Sequence, residues 1–187
     1  MRKIFIVMVV LVAAAFWSVA QVPPASDAEK TPRLVTKPDQ KMLVVEAKGD
    51  PNVAGGAAFG LLFKTFFSLP GVRFAPPRAR WSMPIGADAK DQWTGYYALP
   101  LPDTVTALPA GLQGVKIEVW SYGEVAEVLY IGPYADEAPT ITALHKFIDD
   151  SGYRIAGLHE EEYVLGPNMG VEPAQYRTII RYQVKKK

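Results

Sequence analysis

The sequence predicts an α+β fold in which two strand-helix-strand-strand repeats form an antiparallel sheet with two helices packed on it. Two observations support this prediction. Apolar, β-branched runs of strand length alternate with two segments that have helical periodicity. In addition, a shift of the chain by 83 residues places Gly49 on Gly132 and Trp93 on Tyr176, so turns and core residues recur in the same order.

The first repeat is predicted to span residues 41–102. Residues 42–47 are apolar and β-branched and predict the first strand. Asp50 followed by Pro51 is typical of a helix start, and this helix carries several phenylalanines before the Pro70-Gly71 pair ends it. Two further strands follow, and consecutive prolines interrupt the first of them.

The second repeat is predicted to span residues 115–184. We expect strands at residues 115–120 and 125–131, joined as a hairpin, followed by a helix over residues 139–150. Two more strands complete the unit. The three lysines of residues 185–187 are expected to form a solvated basic tail.

The N-terminal residues 1–20 have the features of a secretory signal, because Arg2 and Lys3 precede an apolar run that ends in small residues at Ala20. We therefore expect an exported protein, in the periplasm or outside the cell. The alternative is an uncleaved anchor, the one case in which we expect contact with a membrane. Residues 21–40 are rich in proline and charged residues without a hydrophobic period, which predicts an exposed linker.

The composition argues against several classes of partner. A formal net charge of +1 lacks the basic excess of nucleic-acid binders, so nucleic acid is not an expected partner. The two histidines, His145 and His159, do not have the spacing of metal ligands. We therefore expect no metal and no cofactor. The chain has no cysteine, so its stability has to come from its core.

Three consecutive glutamates, residues 160–162, lie in an otherwise apolar and aromatic strand. Alternate residues of a strand face opposite sides, so His159, Glu161 and Tyr163 share one face. A carboxylate buried there needs a cation, a proton or a hydrogen bond. Glu161 is therefore the main candidate for a ligand contact.

A structural interpretation of the same strand is open as well. In it, Glu161 pairs across the sheet with Arg177 or Arg181 as an ordinary salt bridge. The neighbouring Glu160 and Glu162 point to the opposite face, where we expect them to be solvated and to face Arg177 and Arg181 across the strands.

Three motifs carry a family resemblance: Val125-Ala-Glu-Val-Leu-Tyr-Ile-Gly-Pro-Tyr134, Gly157-x-His-x-Glu-x-Tyr163 and Thr178-Ile-Ile-Arg181. They resemble the GyrI-like family, the small-molecule effector-binding domain found alone or fused to DNA-binding helices in bacterial transcription activators. The resemblance implies a duplicated fold with pseudo-two-fold symmetry and a cavity between the repeats. It also implies that Glu161, with Tyr163 beside it, meets cationic aromatic ligands there.

Aromatic side chains that could line such a cavity are plentiful. Trp93 and Tyr97 share a strand face and are our candidates for its walls, together with His159. Ring faces of this kind attract a bound cation.

The preferred hypothesis is an exported protein that binds a cationic or amphipathic aromatic compound and is not an enzyme. A second hypothesis, which rests on resemblance to hydrolases within the family, is hydrolysis of a reactive small molecule by Glu161 and Tyr163. A third hypothesis comes from the similar duplicated fold of the SOUL proteins. It is haem or tetrapyrrole binding through His145 or His159.

Overall fold

The structure is a computed structural model that describes residues 24–82, 92–167 and 169–187. The predicted signal segment at residues 1–20 lies outside the described residues. No helix in the described part of the chain is both long and apolar enough to cross a membrane.

The described residues form one antiparallel sheet and two α-helices. In chain order the elements are β1 (Arg33–Lys37), β2 (Gln40–Lys48), α1 (Pro51–Phe66), β3 (Arg78–Trp81), β4 (Thr94–Pro100), β5 (Lys116–Trp120), β6 (Gly123–Ile131), α2 (Ala138–Asp150), β7 (Tyr153–Leu165) and β8 (Arg177–Lys186). The strand order is β1-β6-β8-β7-β3-β4-β2-β5. The sequence prediction of an α+β fold with two helices on an antiparallel sheet is confirmed.

The two repeats are β2-α1-β3-β4 and β6-α2-β7-β8, and they meet where β3 pairs with β7. A shift of β2 by 83 residues reproduces the bounds of β6. The Gly49 N–H donates to the Trp93 carbonyl at 2.9 Å, and the Gly132 N–H donates to the Tyr176 carbonyl at 3.0 Å. Both glycines have positive φ angles, +112° and +149°, which other residues rarely adopt. Equivalent turns therefore open both repeats.

Both helices lie on the same face of the sheet, which we call the outer face. Helix α1 packs on a core that includes Tyr97 and Ala79, and α2 packs on a core that includes Ile180. These three residues and Glu161 form one row of direct cross-strand neighbours. Direct neighbours across a sheet point to the same side, so α1 and α2 flank the row that contains Glu161.

The opposite face, which we call the inner face, is enclosed because the sheet curls. Strands near opposite ends of the strand order are joined by two-residue connections, residues 38–39 between β1 and β2 and residues 121–122 between β5 and β6. Met42 of β2 and Val125 of β6 consequently share a third apolar core. The curl therefore shields the inner face from solvent, as in a small barrel.

The predicted linker at residues 21–40 is wrong in its second half, which contains β1. This strand pairs with β6 over its full length, and Arg33 forms an ion pair with Glu127 at 2.8 Å. The side chains of β1 alternate between exposed and partly buried. Backbone pairing and this ion pair thus hold the strand. Because neither requires an apolar run, the hydrophobic pattern of the sequence does not predict the strand.

Two further predictions are corrected. Strand β5 pairs with β2 and not with β6, so the predicted hairpin is absent from this pair. Asp39 accepts hydrogen bonds from the Ser121 hydroxyl at 3.0 Å and the Tyr122 N–H at 3.2 Å. These bonds hold residues 121–122, which cross from one edge of the sheet to the other and do not form a hairpin turn. Lys185 and Lys186, expected in a tail, extend β8 by pairing with β7, while their side chains are exposed as expected.

Candidate functional site

Glu161 lies on the outer face at the seam of the two repeats. Its cross-strand neighbours are Ala79 in the first repeat and Ile180 in the second. The residue is 5% exposed, because both helices cover this row. The alternation of β7 that predicted its orientation is confirmed, since His159 on the same face contacts it directly.

A chain of polar contacts connects Glu161 to β8. His159 Nε2 lies 2.9 Å from Glu161 Oε1, and His159 Nδ1 lies 2.6 Å from the Tyr182 hydroxyl. Both ring nitrogens of this buried histidine are therefore engaged, which leaves neither free to ligate haem iron in this arrangement. The ring of the exposed His145 packs edge-on against Tyr182, with centroids 4.8 Å apart.

A second carboxyl group, Glu137 at the start of α2, lies beside Glu161. Burial, and then the charge of Glu161, raise the pKa of Glu137 to about 8. Burial acts in the same direction on Glu161, but contacts with His159, Tyr163 and Glu137 favour its anion and hold its pKa below the ordinary value. At neutral pH the pair therefore holds one proton, on Glu137, next to an ionised Glu161.

Aromatic rings cover this acid pair. The Tyr163 ring lies 5.6 Å from that of Tyr134 and 6.0 Å from that of Phe59. Phe59 in turn contacts Tyr97 at 4.9 Å, and burial followed by the charges of Asp50 and Glu161 raises the pKa of Tyr97 to about 12. The expected ligand groove is thus closed over Glu161 in this arrangement, with neutral tyrosines as its cover.

The sequence candidates fall into two groups. His159, Glu161 and Tyr163 lie together, and Tyr97 belongs to the same cross-strand row. Trp93 is buried in the core of the first repeat, where its ring lies 6.1 Å from that of Trp81. The described contacts therefore place Trp93 behind Trp81 and not at Glu161.

The salt-bridge interpretation of Glu161 fails for Arg181, which points to the inner face and pairs with Glu160 at 2.7 Å. The predicted solvation of Glu160 and Glu162 is also wrong. Glu160 is 2% exposed, and the Glu162 side chain is 13% exposed and pairs with Arg181 at 2.8 Å. The curl of the sheet, which strand patterns do not reveal, buries both.

Sequence reasoning missed three residues of the site: Glu137, Tyr134 and Tyr182. The sequence pattern could have identified Tyr182, because Tyr182 lies two residues after Ile180 in β8 and therefore shares its face of the sheet. Glu137 gave no signal, since an acid before a helix is ordinary. Among the described residues, no group of three or more histidine, cysteine, aspartate or glutamate side chains is arranged to hold a metal ion.

Comparison with known proteins agrees with this fold. Residues 30–185 match the GyrI-like small molecule binding domain, so the chain belongs to the GyrI-like family. The resemblance stated from the sequence is therefore confirmed. No curated protein is similar enough in sequence to count as a relative.

Solved structures show the same fold at low identity. An uncharacterized conserved protein from Listeria innocua is 21% identical with a TM-score of 0.69, and the match covers 84% of this chain and 93% of that chain. A hydrolase encoded by lin2189 from Listeria innocua is also 21% identical, with the same coverage and a TM-score of 0.67. The EcmrR C-terminal domain is 14% identical over 84% of this chain and 98% of that chain, with a TM-score of 0.69.

Proposed function

We propose that the protein binds a cationic aromatic or amphipathic small molecule against Glu161, between the two repeats. The observation that carries the proposal is the set of groups around this buried carboxyl. Glu161 lies 2.9 Å from His159, contacts hold its pKa below the ordinary value, and within the described residues no lysine or arginine forms a salt bridge with it. A buried carboxylate without lysine or arginine partners is strongly stabilised by a cation.

The proton on Glu137 allows the negative charge of the site to change when a ligand binds. A cation beside the pair favours the ionised form of both carboxyl groups, so it lowers the pKa of Glu137 from about 8. Binding then releases a proton near neutral pH. Calorimetric titrations in two buffers of different ionisation enthalpy measure this release directly.

The aromatic cover supplies the rest of the binding energy. Tyr163, Tyr134 and Phe59 form edge-to-face contacts around Glu161, and each ring face adds about 0.5 to 2 kcal/mol for a desolvated cation. Because these rings close the site, a ligand has to displace at least one of them on entry.

The test compares tetraphenylphosphonium with the neutral triphenylphosphine oxide by calorimetry. Glu161→Gln is expected to weaken binding of the cation by about 1.5 to 3 kcal/mol, the value of a charge-assisted interaction. Binding of the neutral compound should change little. Glu162→Gln is the matched control, because it makes the same substitution one residue away on the inner face. Equal losses for both ligands, or for both variants, would refute the electrostatic role of Glu161.

A second candidate function, hydrolysis of a reactive small molecule, is favoured by the Glu137–Glu161 pair. It keeps a protonated and an ionised carboxyl group side by side, as acid–base catalysis requires. The lin2189 hydrolase has the same fold. In this case Glu161 and Tyr163 position and activate water. Turnover of a strained electrophile that is lost in both Glu161→Gln and Tyr163→Phe would establish this function in place of simple binding.

We also propose that the protein is exported, on the basis of the signal-like pattern of residues 1–20. Expression of the full chain in a bacterial host, followed by fractionation and intact-mass measurement, tests the proposal. A mature protein that starts just after Ala20 outside the cytoplasm is the expected result. A cytoplasmic protein that retains residues 1–20 contradicts it.

A further inference from the structure

A row of charged side chains crosses the inner face, on the side of the sheet opposite Glu161. Arg80, Glu160, Arg181, Glu127 and Arg33 are successive cross-strand neighbours on five strands. Glu160 pairs with Arg80 and with Arg181, both at 2.7 Å. Glu127 pairs with Arg181 at 3.2 Å and with Arg33 at 2.8 Å.

The neighbouring positions add further ion pairs to this row. Glu162 pairs with Arg78 at 3.1 Å and with Arg181 at 2.8 Å, and Lys37 lies 3.8 Å from Glu127. The ion-paired cluster then holds five cationic and three anionic side chains: Arg33, Lys37, Arg78, Arg80 and Arg181 with Glu127, Glu160 and Glu162.

The excess of positive over negative side chains is concentrated at the buried end of the cluster. Glu29 lies near Arg33 and offsets part of the excess at the solvent-exposed rim. Further in, Arg78, Arg80 and Arg181 surround the two inner-face carboxylates of β7, Glu160 and Glu162, and the Arg181 side chain is 1% exposed. A desolvated positive charge is costly unless an anion balances it.

A cavity of about 190 Å³ opens beside this excess charge. Its walls include Arg80, Arg181, Glu160, Gly157, Leu158 and Gln183, so one carboxylate lines the cavity together with two arginines. Pockets for drug-sized ligands are typically about 300 to 1,000 Å³. This cavity therefore suits a small molecule or the anionic end of a larger one.

Arg80 is the arginine of the cavity wall that a ligand can reach, because its side chain is 20% exposed. The Arg181 side chain is 1% exposed and its buried Nη2 lies 3.2 Å from Glu127 Oε2, so it contributes positive charge to the wall and not a free donor. Arg80 is fixed in place by its Nε bond to Glu160, and its guanidinium carbon lies 4.0 Å from the centre of the Trp120 ring. A fixed guanidinium loses little freedom when it binds an anion.

A bulge in β7 shapes the other wall of the cavity. Between Ile155 and His159 the strand is out of register with β8, and Gly157 lies within this segment. A Cβ atom at Gly157 would come within 2.9 Å of the Gln183 Cβ atom, so only glycine allows the two strands to approach here. Bulges of this kind are frequent beside binding sites.

We propose that this cavity binds a small oxyanion, the carboxylate or phosphate group of a small molecule, at the guanidinium group of Arg80, with the positive charge of Arg181 beside it. Planar guanidinium groups match the paired oxygens of both groups. The site is distinct from the cation site at Glu161, because the two lie on opposite faces of β7.

The test titrates the full chain with inorganic phosphate and, separately, with acetate, at an ionic strength held constant with sodium chloride. Binding is followed by nuclear magnetic resonance, through the Gly157 amide and the Arg80 Nε–H. A matched pair of variants, Leu158→Glu and Leu158→Gln, probes the charge requirement. Leu158 lines the cavity and is 40% exposed, so both variants should fold.

We expect saturable shifts of both signals, and affinity at least tenfold weaker in Leu158→Glu than in Leu158→Gln. The new carboxylate neutralises the excess charge, whereas the amide does not. Arg80→Gln should also lose at least tenfold, and Glu161→Gln should retain wild-type affinity. A response to phosphate alone assigns a phosphate ester, and a response to acetate alone assigns a carboxylic acid.

Two results would overturn the proposal. One is the absence of saturable shifts with either anion, which would make the cluster a purely structural network. The other is equal affinity in Leu158→Glu and Leu158→Gln, which would place the bound anion elsewhere on the protein.

Discussion

Strand β7 carries adjacent buried glutamates that are compensated in opposite ways on its two faces. On the inner face, Glu160 meets Arg80 and Arg181, each at 2.7 Å. On the outer face, Glu161 meets His159 at 2.9 Å and lies beside the protonated Glu137. Both glutamates are at most 5% exposed, so burial does not distinguish them.

The difference lies in whether the compensating groups can change their charge. Arginines keep their charge at any pH that the fold tolerates, so the inner carboxylates are held permanently. The charge of the outer carboxylate is compensated by His159 and Glu137, two side chains that can gain or lose a proton. A ligand cation can therefore take over the role of a proton on the outer face, whereas it would have to compete with arginine on the inner face.

The largest expected effect comes from breaking the inner network at Arg181, which is shared by three glutamates. Arg181→Met should destabilise the fold by about 3 to 5 kcal/mol, because it leaves buried carboxylates without their common partner. Urea unfolding measures the change. The control is Arg154→Met on the exposed part of β7, which should stay within about 0.5 kcal/mol. A loss below about 1 kcal/mol at Arg181 would mean that water already compensates the inner carboxylates.

The second prediction compares the two faces directly. Glu160→Gln should cost about 2 to 3 kcal/mol, since it weakens charge-assisted bonds to two arginines and increases the positive excess. Glu161→Gln should cost less than about 1 kcal/mol, because the loss of its contacts is offset by relief of carboxylate desolvation. The same urea experiment ranks the two variants. The reverse ranking would show that the outer carboxylate, and not the inner one, holds the sheet together.

The third prediction uses the pH dependence of the outer face. The folded protein holds a proton on Glu137 up to about pH 8, whereas the unfolded chain releases it near 4.5. The unfolded state thus binds fewer protons between these values, so stability falls as pH rises through this window. We expect a fall of a few kcal/mol, at most about 5 kcal/mol, because the two pKa values differ by about 3.5 and one pKa unit is worth about 1.4 kcal/mol.

The control for the pH dependence is Glu137→Gln, in which this part of the fall should disappear. Unfolding curves in urea at pH 5, 6.5 and 8 for both proteins make the comparison. Identical pH profiles would mean that Glu137 is ionised in the folded state at neutral pH.

The sequence predicts those parts of the structure that depend on local pattern. The Asp50-Pro51 helix start, the repeated Gly49 and Gly132 turns and the orientation of Glu161 all follow from neighbouring residues, and the structure has them. Strand β1 and the burial of Glu160 were not predictable in this way. Both depend on the curl of the sheet, which brings together residues far apart in the chain.

The site shows the same division. His159, Glu161 and Tyr163 alternate on one strand, so their proximity follows from the geometry of a single element. Glu137 reaches the site from the start of another element and has no counterpart in the first repeat, where the equivalent position is Ala54. A pair of acids that share a proton therefore becomes visible only when α2 is placed on the sheet.

The smallest expected effect concerns α1, which covers the outer face and contains three glycines. Added Cβ atoms at Gly56 and Gly60 would meet no other atom within 4 Å, so alanine at either position should stabilise the fold by about 0.5 to 1 kcal/mol. At Gly55 a Cβ atom would lie 3.2 Å from the Tyr97 hydroxyl oxygen, so the gain there should be smaller or absent. Thermal unfolding of the three variants checks the order. An equal gain at Gly55 would mean that the Tyr97 side chain moves aside at little cost. The packing of the outer face would then adapt more easily than that of the ion-paired inner face.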